Sequence, residues 1–276
     1  MEFRLSRILT RLTHLSSILM MRFMYELSHD PLMPPPEMVE NVGGGGEFTF
    51  KRVGESLLQQ WKNYASLGPH ERVLDVGCGC GRMAIPLARY FSRDASYEGF
   101  DITKSAVDWC VDKITYRFPN FHFRFADIFN GVYNPRGKIR ASEYRFPYED
   151  QSFDFVFLTS VFTHMLPEDV SHYLSEICRV LRKHGRCWIT FFLLNEESRR
   201  LIESNKSRFN FAWRKSTFAI ENESAIEAVV AYDEDFARNL FRRNGLEIRE
   251  PIRYGSWCGR TDVTELQDSV IAYRTK

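Results

Sequence analysis

Residues 73–82 read VLDVGCGCGR, a short apolar run that ends in three glycines at alternate positions. Val73, Leu74 and Val76 are bounded by charged residues before and glycines after, the pattern of a buried strand that closes on a turn. Gly77, Gly79 and Gly81 let the backbone turn tightly and approach a ligand with no Cβ in the way. Residues 83–91 then read as a helix, with Pro86 tolerated because it falls in the first turn. Strand, glycine turn and helix form the first unit of a nucleotide-binding α/β fold.

The rest of the composition suits such a fold. The 276 residues fit one α/β domain with insertions. Hydrophobic residues make up 44% and charged residues 26%, both ordinary for a globular chain. Lys and Arg number 37 against 36 Asp and Glu, a net charge of +1 that lacks the basic footprint of a nucleic-acid binder. The 23 phenylalanines predict a Phe-rich core or an aromatic-lined pocket. No two of the six cysteines have C-x-x-C spacing, so no metal site is expected and the thiols read as reduced, in a cytoplasmic protein.

Three regions precede or divide the core pattern. Residues 1–29 hold a basic amphipathic helix, with Leu5, Ile8, Leu9, Leu12, Leu15, Leu19 and Phe23 at helical spacing over residues 2–24. Its arginines and short apolar run fit neither a signal peptide nor a spanning helix. It reads either as an arm packing on the domain or as a peripheral membrane-surface helix. Residues 30–50 read as a Pro/Gly-rich linker, from Pro34-Pro35-Pro36 and Gly43-Gly44-Gly45-Gly46, with a helix from Val53 onward. Residues 51–276 form the main domain, with insertions at about 129–146 and 195–231.

The order of the glycines departs from the dinucleotide pattern. A dinucleotide fingerprint G-x-G-x-x-G would need glycine where Arg82 stands. The turn here is G-x-G-x-G, preceded two residues earlier by Asp75. That shape resembles motif I of the class I S-adenosylmethionine-dependent methyltransferases. Further segments agree. Residues 97–101, YEGFD, read as a second strand ending in Asp101, 24 residues after Gly77. Residues 121–128, FHFRFADI, read as a third strand by alternation, and residues 152–159 as a fourth. The stretch SFDFVFLTSVFTHMLPEDV resembles the family's motif IV region. A fifth strand over 186–192 follows a helix end and turn at Lys183-His184-Gly185, and residues 246–254 and 269–274 read as the last two strands.

The resemblance implies an α/β fold: a seven-stranded mixed sheet with helices on both faces and the last strand antiparallel. It implies S-adenosyl-L-methionine as cofactor, held by Asp75, Gly77, Cys78, Gly79, Gly81 and Arg82 of motif I. Asp101 would accept from the ribose hydroxyls beside Ile102. Asp127 would face the adenine amino group, Ile128 would pack on the ring, and Thr159 would close the site at the end of the fourth strand. Phe48 and Phe50 could dock the preceding arm over the cofactor. His164 is the candidate general base, since an imidazole titrating near neutrality can take a hydroxyl proton. Ser160, or Thr163, is the candidate for orienting the acceptor.

The acceptor has to be reasoned from absences. Leu158-Thr159-Ser160-Val161 stands where the family's N-P-P-Y or D-P-P-Y would mark amino methylation of bases. No Pro-Cys nucleophile is there either. A small-molecule, sugar or lipid-linked acceptor is therefore expected, with no nucleic acid, and O-methylation is favoured. The two insertions should set specificity as lids. The first joins Tyr133 and Tyr144 with Arg136, Lys138, Arg140 and Arg145, a mixture suited to an anionic or glycosylated substrate. The competing readings are a nicotinamide-dependent oxidoreductase, which Arg82 opposes, and a non-catalytic module that binds S-adenosylmethionine without turnover.

Overall fold

Alternate residues of the first strand face opposite sides of one sheet, and each side finds its own core. The computed structural model describes residues 30–275 apart from Thr264, so the basic amphipathic arm at 2–24 lies outside the described residues. Strand β1 (Arg72–Val76) sends Val73 to one apolar cluster and Leu74 and Val76 to the other. Strand β4 (Phe153–Leu158) does the same, with Phe155 and Phe157 on the first side and Val156 and Leu158 on the second. A strand buried on both faces reads as a continuous apolar run, which is why these two stand out in the sequence.

Seven strands make the sheet. Parallel to β1 run β2 (Ser96–Asp101) and, beyond it, β3 (Phe121–Phe125); on the other side lie β4 and β5 (Leu181–Phe191). The last strand, β11 (Asp268–Arg274), runs antiparallel to β5, and β10 (Leu246–Ile248) pairs antiparallel with β11 at the edge. The order is therefore β3-β2-β1-β4-β5-β11-β10. The chain reverses its direction of winding between β1 and β4. In open α/β sheets the crevice at the carboxyl ends there is the ligand site.

Helices cover both faces. Helix α1 (Pro36–Asn41) and helix α2 (Gly46–Tyr64) precede β1. On the Val73 side lie α2, α3 (Ala84–Tyr90) and α4 (Lys104–Cys110), the last continued by a wider π turn over Val111–Thr115. On the opposite side Val170, Tyr173, Leu174 and Ile177 of α5 (Pro167–Val180) meet Ala237, Leu240 and Phe241 further along the chain.

The second insertion folds as a small sheet of its own. Strands β6 (Leu193–Leu194), β9 (Val230–Asp233), β8 (Phe218–Ile220) and β7 (Trp213–Arg214) lie in that order. Helix α6 (Glu196–Glu203) opens with a capping box between Asn195 and Ser198. Helix α7 (Glu234–Arg243) is capped by the Asp233 carboxylate, which accepts from the Phe236 N–H. Under this sheet Phe192, Phe211 and Trp257 form a third apolar cluster. Asp268, fully buried, ties it down by accepting from the N–H groups of Leu193 and Gly255, from Trp257 Nε1 and from Arg260.

Three expectations are corrected. Residues 30–50 are not an open linker: Leu32, Met33, Val39 and Phe50 are buried, and α2 begins at Gly46 rather than Val53. Packing of Phe50, Leu57 and Trp61 as one helical stripe outweighs the helix-breaking tendency of the glycine. Residues 183–185 do not form a helix-terminating turn ahead of a separate strand. They sit in a bulge of β5, where pairing shifts from Phe153–Leu181 to Phe155–Arg186 and His184 takes φ +64°. Strand β3 ends at Phe125 because the Asp127 carbonyl accepts instead from the N–H groups of Lys138 and Ile139 in the first insertion.

Candidate functional site

The glycine loop lies where the sheet's winding reverses. Gly77, Gly79 and Gly81 have φ of +86°, +51° and +82°, a conformation that excludes ordinary side chains. The space is tight as well. A Cβ on Gly77 would lie 2.4 Å from Val161 Cγ2, and one on Gly79 would lie 2.9 Å from Val42 Cγ1. The turn after β4 therefore presses on the loop after β1 from one side, and the chain before α2 covers it from another. The N–H groups of Gly77 and Cys78 both donate to the Phe100 carbonyl, which fixes the loop against β2.

Two acids attend the loop. Asp101, at the end of β2, accepts from the Gly79 N–H on Oδ2 and from the Thr103 N–H on Oδ1. A carboxylate has about four acceptor directions, so two bonds leave capacity for two hydroxyls. Burial pushes its carboxyl up from the usual range, while the backbone N–H groups pull it back down. Asp75, 1% exposed, accepts from the Tyr97 hydroxyl on Oδ2 at 2.6 Å. Its Oδ1 is buried with no hydrogen-bond partner, and burial pushes its pKa up to about 8. A buried carboxyl that stays protonated at neutral pH thus leaves one polar atom without a partner beneath the glycine loop. Burial also pushes the Cys78 thiol up, which leaves it a neutral wall of the loop.

Other expected contacts are distributed unevenly. Ile128 is buried and Ile102 half-buried, both against the core on the Leu74 side. The Asp127 carboxylate is paired at 3.5 Å with Lys138 of the first insertion. Thr159 and Ser160 are half-buried beyond β4, and Ser160 takes φ +61° while its N–H donates to Thr190 Oγ1. Arg82 turns away from the loop and donates to the Val42 carbonyl, and the Cys80 thiol donates to the Met38 carbonyl at 3.6 Å. Both bonds hold the α1 segment on the loop. Phe48 is exposed and Phe50 buried within α2, so Val42, rather than either of them, meets the glycines.

The turn after β4 gathers the candidate chemistry. Thr163, the alternative for orienting an acceptor, is only 1% exposed, and its hydroxyl is buried with no hydrogen-bond partner. His164 lies in a 3₁₀ turn (Phe162–His164) where both insertions converge. Its Nδ1 is 3.2 Å from the Glu227 carbonyl, and its Nε2 is 3.4 Å from the Tyr133 hydroxyl. A carbonyl only accepts, so Nδ1 carries the proton and Nε2 is the lone-pair nitrogen. Burial holds the imidazole pKa below its ordinary 6.5, against the pull of the Glu227 and Ala228 carbonyls. The ring is therefore neutral at neutral pH, with its basic nitrogen directed at Tyr133.

Two residues unremarked in the sequence build this junction. Asn130 donates from Nδ2 to the His164 carbonyl and accepts on Oδ1 from the N–H groups of Val132 and Tyr133. Glu227 accepts on its carboxylate from the Gly131 N–H while its carbonyl takes the His164 proton. Asn130-Gly131 is a turn dipeptide, the one local signal available; Glu227 carries none. Phe129, Val132, Tyr133 and Ile139 of the first insertion remain substantially exposed around the junction. Among the described residues no helix is long and apolar enough to cross a membrane.

This geometry can be set beside known proteins. Residues 74–189 match the family described as a methyltransferase domain. An O-methyltransferase of Penicillium expansum is 29% identical over 50% of this chain and 44% of its own length. The 27-O-demethylrifamycin SV methyltransferase of Amycolatopsis mediterranei is 32% identical over 53% of this chain and 47% of its own. A tRNA N(3)-cytidine methyltransferase of Gallus gallus is 24% identical over 50% of this chain and 34% of its own. The chain thus spans less than half the length of these relatives. Among solved structures, magnesium protoporphyrin IX methyltransferase from Synechocystis, with bound SAH, superposes with a TM-score of 0.55 at 17% identity, over 86% of this chain and 93% of that one.

Proposed function

We propose, from a chain whose core is a class I S-adenosylmethionine-dependent methyltransferase domain, that it methylates a hydroxyl of a small-molecule, sugar or lipid-linked acceptor. The observation that carries this reading is the neutral His164 imidazole, with its Nδ1 proton directed to the Glu227 carbonyl and its Nε2 lone pair facing the Tyr133 hydroxyl of the first insertion. A hydroxyl needs a base as it is methylated, and an imidazole can serve only through a nitrogen that carries a lone pair rather than a proton.

The residues present fit the cofactor. The Cβ-free loop and the spare acceptor capacity of Asp101, above an Asp75 carboxyl with one unpartnered oxygen, together suit a polar ligand with hydroxyl donors. When bound, S-adenosylmethionine supplies a methyl group already activated on a sulfonium. The protein's work is then to hold the acceptor in line and move its proton. Gly77, Gly79 and Gly81 admit the ligand, Asp101 and Asp127 fix its nucleoside end, Thr159 closes the cofactor site, and Ser160 borders the acceptor. Exposed apolar residues Phe129, Val132 and Ile139 beside Arg136 and Arg140 favour an acceptor with an apolar body and an anionic or polar group. The likeness to a tRNA methyltransferase supports nucleic acid as the second reading, against the net charge of +1.

The test incubates labelled S-adenosylmethionine with hydroxylated small molecules, lipid and glycoside extracts, and tRNA, and follows label transfer. Label in an ether or ester of a non-nucleic acceptor is expected; label in tRNA alone would overturn the reading. His164→Ala should lower kcat roughly 10²–10⁴-fold with cofactor affinity nearly unchanged. Turnover should fall as pH drops through the His164 pKa, which lies under 6.5, and be flat above it.

A further inference from the structure

We propose that Tyr133 is a catalytic residue that relays the acceptor's proton to His164, and that Glu227 is the positioning residue that sets the imidazole tautomer for it. The inference rests on the O-methylation reading above, gives Tyr133 a role in it, and extends that of the Glu227 carbonyl.

The base nitrogen is already covered. Nε2 of His164 faces the Tyr133 hydroxyl at 3.4 Å, and the two rings meet edge to face at 5.0 Å and 76°. That distance is long for a full hydrogen bond, as such pairs often are before a reactant tightens them. An acceptor hydroxyl must either push Tyr133 aside or pass its proton through it. Asn130 accepts from the Tyr133 N–H with one end of its amide and donates to the His164 carbonyl with the other, at 2.9 and 3.0 Å. The backbones that carry phenol and imidazole are thus tied through one buried amide, which keeps the two side chains on neighbouring mounts.

Exposure points the same way. Tyr133 is 45% exposed, whereas His164 is half-buried between the two insertions. The phenol stands between solvent and base. Burial, and to a lesser degree the Asp101 carboxylate, raise its pKa and keep the phenol protonated. It is therefore a donor to Nε2 in the resting state and retains an oxygen lone pair that can accept.

The acceptor oxygen forms its bond to the methyl carbon as the carbon–sulfur bond breaks, and that electron pair stays on sulfur. The acceptor O–H proton moves to the Tyr133 oxygen while the phenol's own proton moves to Nε2. The product is an ether or ester, a neutral phenol and an imidazolium, which returns its proton to solvent. Glu227 matters because its carbonyl fixes the proton on Nδ1; with the other tautomer, Nε2 would carry hydrogen and could take none.

The test uses the full chain with 15N-labelled histidine and needs no acceptor for its first reading. In the wild type, the His164 imidazole is expected as the Nδ1–H tautomer with Nε2 shifted as a hydrogen-bond acceptor. Tyr133→Phe should move Nε2 to the value of a free imine nitrogen while Nδ1 stays protonated. An unchanged Nε2 signal overturns the relay whatever the enzyme's activity. Calorimetric binding of S-adenosylmethionine to Tyr133→Phe should match wild type, which excludes misfolding. With an O-acceptor from the screen above, Tyr133→Phe should lose roughly 10²-fold in kcat with KM within about twofold. Tyr133→Phe turnover equal to wild type sinks the relay and leaves the O-methylation reading standing. A wild type that labels no hydroxyl sinks O-methylation, and with it the catalytic role of Tyr133.

Discussion

The N–H of Gly79 donates to Oδ2 of Asp101 at 2.8 Å, joining the loop after β1 to the end of β2. The carboxylate thus serves twice in the proposed site: it holds the glycine loop in shape and keeps acceptor capacity for ligand hydroxyls. Asp101→Ala should weaken S-adenosylmethionine binding by about 1.5–3 kcal/mol, the range for hydrogen bonds to a charged acceptor. Asp127→Ala should cost less, since its carboxylate already spends part of its charge on Lys138. Titration calorimetry on both variants measures this, and equal losses would refute the division of labour between the two acids.

Gly79→Val should abolish cofactor binding while the domain stays folded. A β-branched residue resists φ of +51°, and its Cβ would meet Val42 at 2.9 Å. Circular dichroism should be unchanged and calorimetry should show no heat of binding. Wild-type affinity in this variant would remove the loop from the cofactor site.

Asp75 makes stability pH-dependent in a set direction. Its folded pKa of about 8 stands above the ordinary 3.8 because the carboxyl is buried. A raised pKa contributes stability fully below the unfolded value and loses it as pH rises toward the folded one. Asp75→Asn keeps an acceptor for the Tyr97 hydroxyl but cannot ionise. The difference in Tm, variant minus wild type, should therefore grow between about pH 4 and pH 8 in the absence of ligand. A difference that is constant across that range would mean the carboxyl ionises freely when buried.

Asp268→Ala should destabilise the protein by about 3–5 kcal/mol. It would leave the Leu193 and Gly255 N–H groups, Trp257 Nε1 and Arg260 without their shared acceptor. Urea unfolding gives the magnitude, and Trp257 fluorescence reports whether the second insertion loosens first. A loss under about 1 kcal/mol, ordinary for an exposed site, would mean that water or neighbouring groups replace the carboxylate.

The sequence alone determined the frame of the site, because that frame is local. Apolar runs of strand length, three glycines in one turn and an acid at the end of β2 are each set by steric and hydrogen-bond rules acting over a few residues. From them follow the parallel core of the sheet, the crevice at the ends of β1 and β4, and the resemblance to a family. The antiparallel β10–β11 pair was legible for the same reason, although Pro251, which lacks a ladder N–H, lies beyond a β10 that ends at Ile248.

What only the tertiary structure decided is everything made by residues far apart. Residues 30–50 read as a linker because proline and glycine break local structure; burial of Val39 and Phe50 against the sheet's helices makes them a cover over the glycine loop instead. His164 was legible only as a candidate base, while its tautomer is set by a carbonyl 63 residues away and its second ring nitrogen faces a phenol 31 residues before it. Backbone carbonyls have no signature in a sequence, since every residue has one. Their effect on an imidazole depends on where two insertions happen to meet, and that is fixed by packing over the whole sheet.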